Sequence, residues 1–319
     1  MKNLRSTSNS IVVIPAYQRS EKLYARVEEI LRWNRLKHII LSIDPPRKSS
    51  NADELLRCRL VSKTARQLAS KDSRIQLLEW RDNQGINIHY ARIFEEFKDE
   101  PSIMIVEEDV SVNAMALDFL ADNSRRDGSL AASAFVASRH SSLKPNASFQ
   151  TLFPIQWGIS VTGEVMEHYI HILKTGSFSK KLIKKVFKSQ LGDALSVWEL
   201  EKLTQWWFNH FFFCRKHGDW ADALIQYSVY ANLGFYRAPA SPLVQDDVAD
   251  FDPQSLTPRT TFNYQVECKA FNHQVLSDQF HCIGCQIQHS HLEEIGALKL
   301  LASTRYRRFT PELHTRINW

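Results

Sequence analysis

The sequence predicts an α/β fold, a mostly parallel sheet flanked by helices with a mixed second half. Two observations carry this. Short apolar runs alternate with stretches of helical periodicity four times in about the first 110 residues, a rhythm suited to parallel strands joined by crossover helices. The run at 103–106, Ile-Met-Ile-Val, is apolar without alternation and reads as a strand covered on both faces.

The first strand is expected at 11–15, Ile-Val-Val-Ile-Pro, closed by a turn through Ala-Tyr-Gln-Arg-Ser. Ser20 is expected to cap the next helix, where Leu23, Val27, Ile30 and Leu31 recur at helical spacing. A strand at 38–43 ends on Asp44, and a helix covers about 52–70. A third strand, 73–80, precedes a helix from about 88 to 97, opened by His89. The strand at 103–106 then runs into Glu107, Glu108 and Asp109. Beyond it, 130–137 reads as a strand, followed by a polar loop. Residues 153–161 lead into a helix beginning near Gly163. An amphipathic helix is expected at 180–188, an aromatic stretch over 199–214, a helix over 218–230 and a strand and turn over 234–242. The chain divides into a first part, 1–140, expected to bind a nucleotide, and a second, 141–319.

Composition excludes several classes. No run of about eighteen apolar residues occurs, so no membrane-spanning helix is expected. The first ten residues lack the apolar core of a secretory signal. Five cysteines, an odd number, give no disulfide framework. The expectation is a cytoplasmic protein with reduced thiols. A net charge of +5 permits an anionic substrate or an acidic membrane surface and demands neither. No nucleic-acid-binding module is recognisable.

Three adjacent acids repel one another and resist burial, so a purely structural role explains 107–109 poorly. A divalent Mg²⁺ or Mn²⁺ ion, which takes carboxylate oxygens together with those of a bound phosphate, explains them better. Open α/β sheets also bind ligands beyond the carboxyl ends of their strands. The competing reading is a solvated acidic turn. Other strand ends carry Arg19, a fork for phosphate oxygens, and Asp44, an acceptor for a base or ribose. His89 could reach a ribose. Each alone reads as an ordinary surface or turn residue; gathered at the strand ends of one sheet, they point to a nucleotide.

The order Ile-Pro-Ala-Tyr-Gln-Arg-Ser, Ser-Ile-Asp44, His89-Tyr-Ala-Arg and Val-Glu-Glu-Asp109 resembles the GT-A glycosyltransferases. It is most similar to the animal N-acetylglucosaminyltransferase I family, which attaches GlcNAc to a mannose of N-glycans. The opening strand also resembles the broader family 2 glycosyltransferases. The resemblance covers roughly the first 120 residues. It implies a GT-A type, Rossmann-like sheet, a UDP-sugar held by Arg19, Asp44 and His89, Glu108 toward the sugar, and Mn²⁺ (or Mg²⁺) on Asp109. The family has Glu-Asp-Asp where this chain has the longer Glu108 in the middle. An aromatic segment on the family's acceptor side implies Trp157 as a face for a sugar ring, with core filling as the alternative. A Trp-Asp-Asp-Trp segment opening a helix, which holds the family's catalytic base, has its counterpart at Asp219-Trp220-Ala-Asp222. Spacing from the tryptophan implies Asp222 as base and Asp219 as second choice. Asp246 and Asp247 are rivals for metal or base.

The expected activity is transfer of a hexosyl or N-acetylhexosaminyl group from a nucleotide-sugar to a hydroxyl of a glycan or lipid-linked acceptor. The transfer would be metal-dependent and inverting, in the assembly of a bacterial surface polysaccharide. A retaining enzyme of the same fold competes with this reading. So does a nucleotide- or sugar-binding protein without catalysis, and so does a nucleotidyltransferase. The last normally shows an early glycine-rich phosphate loop that this chain lacks. Two features stay open. The five lysines of 180–188 could rest on an anionic membrane or simply face water. Cys268, Cys282 and Cys285, with His273, His281, His289 and His291, have zinc-like spacing.

Overall fold

The computed structural model describes residues 10–135, 147–152, 154–191, 196–217, 220–240 and 243–246. Strand β1 (Ser10–Ala16), helix α1 (Ser20–Leu31), β2 (Leu36–Ile43), α2 (Ala52–Lys71), β3 (Ile75–Glu79), α3 (Ile86–Phe97) and β4 (Ser102–Ile105) alternate as expected. Alternate side chains of β1 serve opposite faces, as the period of two requires. Val12 and Ile14 pack with α1 and α2, whereas Ile11 and Val13 pack with α3. Burial on both faces explains why these strands read as unbroken apolar runs.

After β4 come a two-residue strand, β5 (Val110–Ser111), helix α4 (Ala114–Asn123) and β6 (Ala131–Phe135). Strands β7 (Ser148–Thr151) and β8 (Ile155–Thr162) follow, then helices α5 (Gly163–Thr175), α6 (Lys180–Leu191), α7 (Val197–His217) and α8 (Ala221–Ala231), and strands β9 (Tyr236–Pro239) and β10 (Gln245–Asp246). The large sheet has the order β3-β2-β1-β4-β8-β6-β9-β7. Its first four strands are parallel, and β8 joins them antiparallel to β4, with Ile103 opposite Val161. Strands from both sides of residue 140 therefore share one sheet. Helices α1, α2 and α4 cover one face; α3 and α5 to α8 cover the other.

Several expectations are corrected. Ser20 is the first helical residue, not the cap; Arg19 holds the N-cap position with extended φ −113° and makes no capping side-chain bond. The segment read as a polar loop contains β7, which pairs antiparallel with β9 at the sheet edge. An exposed edge strand carries polar residues on its open side and so lacks an apolar run. His89 is the fourth residue of α3, and Gly85, in a left-handed conformation at φ 85°, precedes the helix instead. The N-cap of α8 is Trp220, so this helix begins at Ala221 and not at 218; Asp219 lies outside the described residues.

Candidate active site

The chain lays β2 and β3 to one side of β1, then crosses through α3 to place β4 on the other. The crevice between the carboxyl ends of β1 and β4 is thus the topological switch point of the sheet, where open α/β folds take ligands. Tyr17, Gln18 and Arg19 leave β1 there, and Glu107, Glu108 and Asp109 leave β4.

The three acids diverge, which is how three adjacent carboxylates can be packed together. Tyr90 on α3 donates its hydroxyl to Glu107 Oε1 at 3.1 Å. Glu108, 6% exposed, accepts the backbone N–H of Tyr17 at 3.1 Å and of Gln18 at 3.5 Å. Arg19 pairs with Asp109. Burial pushes the Glu108 carboxyl up to about 7; Arg19 opposes this and Asp109 adds to it. The acids are therefore neither a solvated turn nor a three-carboxylate cage: among the described residues no group of three or more His, Cys, Asp and Glu is set to hold a metal.

The chain beyond the acids is fixed from α1. Glu29, which pairs with the fully buried Arg26, accepts Val112 N–H at 3.1 Å and Ser111 Oγ–H at 3.2 Å. Strand β10 seals the other side, with Asp246 opposite Val110. The Asp246 backbone thus lies next to the acidic segment, as its candidacy requires. Asp247 lies outside the described residues, as do Cys268, Cys282, Cys285 and the four neighbouring histidines.

Asp44, at the end of β2, is 6% exposed, and its Oδ1 has no hydrogen-bond partner among the described residues. Burial pushes its carboxyl up to about 7, against the pull of Arg92 and Arg47 and with the help of Asp82. A buried carboxylate oxygen without a partner is costly, and a ligand N–H or O–H would satisfy it. Nearby, the Tyr17 hydroxyl donates to Glu54 in the first turn of α2, and Gln18 Nε2 donates to the same oxygen at 3.1 Å. Arg47 stands 5.7 Å over the Tyr17 ring. Tyr17 escaped the sequence reading; its one signal was its place directly after a strand-ending Pro-Ala.

His89 is 4% exposed and bonds Ser42 Oγ through Nε2 at 2.7 Å, while Ser42 accepts Trp80 Nε1–H at 2.9 Å. Ser42 Oγ has one proton and two lone pairs, so after accepting from Trp80 it can still donate to Nε2 or accept from it, according to the tautomer of the ring. Burial, then Arg92, lowers its pKa to about 4, and the imidazole is neutral.

Asp222 lies in the first turn of α8 and is exposed. Its backbone carbonyl accepts Gln156 Nε2–H at 2.7 Å, and Asn87 Oδ1 on α3 accepts the N–H of Trp220 at 3.2 Å. Tyr90 is held well above the ordinary phenol range by burial, then by the charges of Glu107 and Asp222. Asp222 is thus within electrostatic reach of the residue that bonds Glu107, although 115 positions separate the two acids (222 − 107). Trp157 is half-buried, its ring 4.5 Å from that of Phe135. It packs with the α1, α2 and α4 face, opposite to Ile159 and Val161, because Gly158 at φ 66° bulges the strand.

No protein-family model and no curated protein matches the sequence. Among solved structures the chain is similar to S. aureus TarS 1–349, with a TM-score of 0.42 and 10% identity over 94% of this chain and 91% of that one. It is also similar to the mannosyltransferase PcManGT of Pyrobaculum calidifontis in complex with GDP-Man and Mn²⁺, with a TM-score of 0.39 and 10% identity over 92% and 86%. A third is the 4-diphosphocytidyl-2C-methyl-D-erythritol synthase of Anaerococcus prevotii, with a TM-score of 0.36 and 10% identity over 54% and 78%. At such identity and overlap, chemistry has to be read from the side chains.

Proposed function

We propose that this chain is a metal-dependent glycosyltransferase that moves a hexosyl or N-acetylhexosaminyl group from a UDP-sugar to a hydroxyl of a glycan or lipid-linked acceptor. The observation that carries the reading is the Asp44 oxygen, buried without a partner among the described residues at the end of β2, the strand next to β1, whose own end leads to the Arg19–Asp109 pair. Asp44 would accept from the base or ribose, and the ring of His89 would hydrogen-bond a ribose hydroxyl. Arg19 would exchange Asp109 for the diphosphate, offering its planar fork to two oxygens. Glu108 is assigned to the sugar side while it holds the turn after β1. Trp157, its ring set by Phe135, is assigned to the acceptor.

Asp109 fits a divalent cation as its one protein carboxylate, because Mg²⁺ and Mn²⁺ are usually held by one or two carboxylates plus substrate phosphates. Such a cation, when bound, would neutralise charge developing on the departing diphosphate. Asp222, exposed and tied to the acids through Tyr90, would take the proton of the acceptor hydroxyl. The acceptor oxygen forms its bond to the anomeric carbon as the bond to the diphosphate oxygen breaks, with inversion.

A panel of UDP-, GDP-, CDP- and dTDP-sugars, with and without Mn²⁺, tests this through thermal stabilisation and nucleotide release. UDP-sugars should stabilise the protein, more so with the metal. No stabilisation and no turnover with any donor would overturn the reading. Asp109→Asn should abolish the metal-dependent part of UDP binding in calorimetry; unchanged affinity would remove Asp109 from the metal.

A further inference from the structure

Helices α6 and α7 pack antiparallel: Lys180 reaches Glu201 and Gln205 of α7, and Lys184, one turn on, reaches Glu201. These two lysines are thereby spent on an acid, leaving three of the five unspent on Glu201. The apolar side of α6, with Ile183, Val186 and Phe187, is buried in the core, so it is not available for insertion into lipid. What remains outside is a strip of different composition. Lys181, Lys185 and Lys188 are exposed, at i, i+4 and i+7 on the side of α6 opposite its buried residues. On α7, Trp198 and Phe212 are 55% and 46% exposed, although Trp207 and Phe211 of the same helix are fully packed. Lys202 stands 5.2 Å over the Trp198 ring. Among the described side chains of both helices, Glu201 is the single acid, and Lys180 and Lys184 neutralise it.

We propose that this outer face of the α6–α7 pair docks on an anionic lipid bilayer. A solvated face would account for the lysines but not for an exposed tryptophan and phenylalanine on the helix packed beside them, the tryptophan under Lys202. Lysines reach phosphate headgroups, and tryptophan favours the headgroup level of a bilayer, where its ring is apolar and its N–H is wet. The contact is one of charge with aromatic anchoring, not insertion of an amphipathic helix. It is independent of the catalytic reading, since none of these residues belongs to the strand-end site.

The test is sedimentation of the full chain with phosphatidylcholine vesicles and with vesicles containing about one-third phosphatidylglycerol, at low and high salt. Binding should occur on the anionic vesicles alone and weaken with salt. Replacing Lys181, Lys185 and Lys188 together with glutamine should weaken it by about fivefold per lysine, on the order of a hundredfold in all. Trp198→Ala should weaken the part that survives high salt. Arg59→Gln with Lys63→Gln and Lys71→Gln, three exposed cations of α2, removes the same charge elsewhere and should cost much less. Equal loss in the two triple variants would reduce the effect to net charge and overturn the proposal. So would a wild type that ignores anionic vesicles, including one that binds a soluble polyanion instead.

Discussion

Asp44 shows at the scale of one residue how a site can hold free energy in reserve. Its folded pKa, about 7, lies above its ordinary 3.8, so the native state binds the proton more tightly than the unfolded chain. The destabilisation from the ionised group is therefore absent below about pH 4, grows up to about pH 7 and is complete above it. Asp44→Asn should stabilise the free protein above pH 7, by about 1 kcal/mol or more, and should weaken UDP binding. Thermal unfolding across that pH range, beside calorimetry with UDP, checks both; a variant less stable at pH 8 than at pH 5, relative to wild type, would remove Asp44 from this role. Asp222 differs from Asp44 in being exposed, in the first turn of α8. Asp222→Asn should lower kcat by about 10²-fold or more and leave donor affinity near wild type. Steady-state kinetics decides it, and Asp219→Asn is the comparison that would take over the role if Asp222→Asn kept its turnover.

At the scale of elements, the acids are placed by close packing around β4. Gly163 opens α5 directly beneath the end of α3, where an added Cβ would lie 2.8 Å from the Lys98 carbonyl oxygen and 3.2 Å from that of Glu100. Both obstacles are backbone and cannot swing aside. Alanine would gain about 1 kcal/mol of helix propensity, but overpacking of this kind costs about 1–3 kcal/mol or more. Gly163→Ala should therefore lower stability in urea unfolding; an unchanged midpoint would show that α5 can shift at no cost. The periodicity of α1, α2 and α3 was legible because one stripe of each faces the sheet. The two-residue strands β5 and β10 were not, since two residues have no period. The face that Trp157 takes was not legible for a related reason: one left-handed glycine, Gly158, inverts the alternation on which it depends.

At the scale of the molecule, one sheet joins both parts of the chain, and each face of it has its own apolar cluster. Trp33 lies in one cluster and Trp207 in the other, both nearly inaccessible. Because β1, β4 and β8 contribute to both, neither cluster should survive loss of the other. Trp33→Phe and Trp207→Phe should each leave a protein whose fluorescence and far-UV circular dichroism report the same urea midpoint. Separate midpoints would show two independently folding units. A fragment ending at residue 140 should not hold its fold, since it removes β8 from the edge of β4 and uncovers Ile103 and Ile105.

The sequence by itself determined the alternation of strands and helices in the first part of the chain, and the gathering of Arg19, Asp44 and the acids at strand ends. Those are local properties: apolar periodicity fixes an element and its direction, and direction fixes which end carries the polar residues. Only the tertiary structure decided which groups answer one another. Arg19 meets Asp109 across 90 positions, the amides after β1 take Glu108, and two of five lysines are absorbed by Glu201. Asp222 comes into range of Tyr90 because α8 is pinned to Asn87 of α3. Such pairings depend on strand order and helix docking, which leave no period in the chain, and they decide which charges are already satisfied and which still await a ligand.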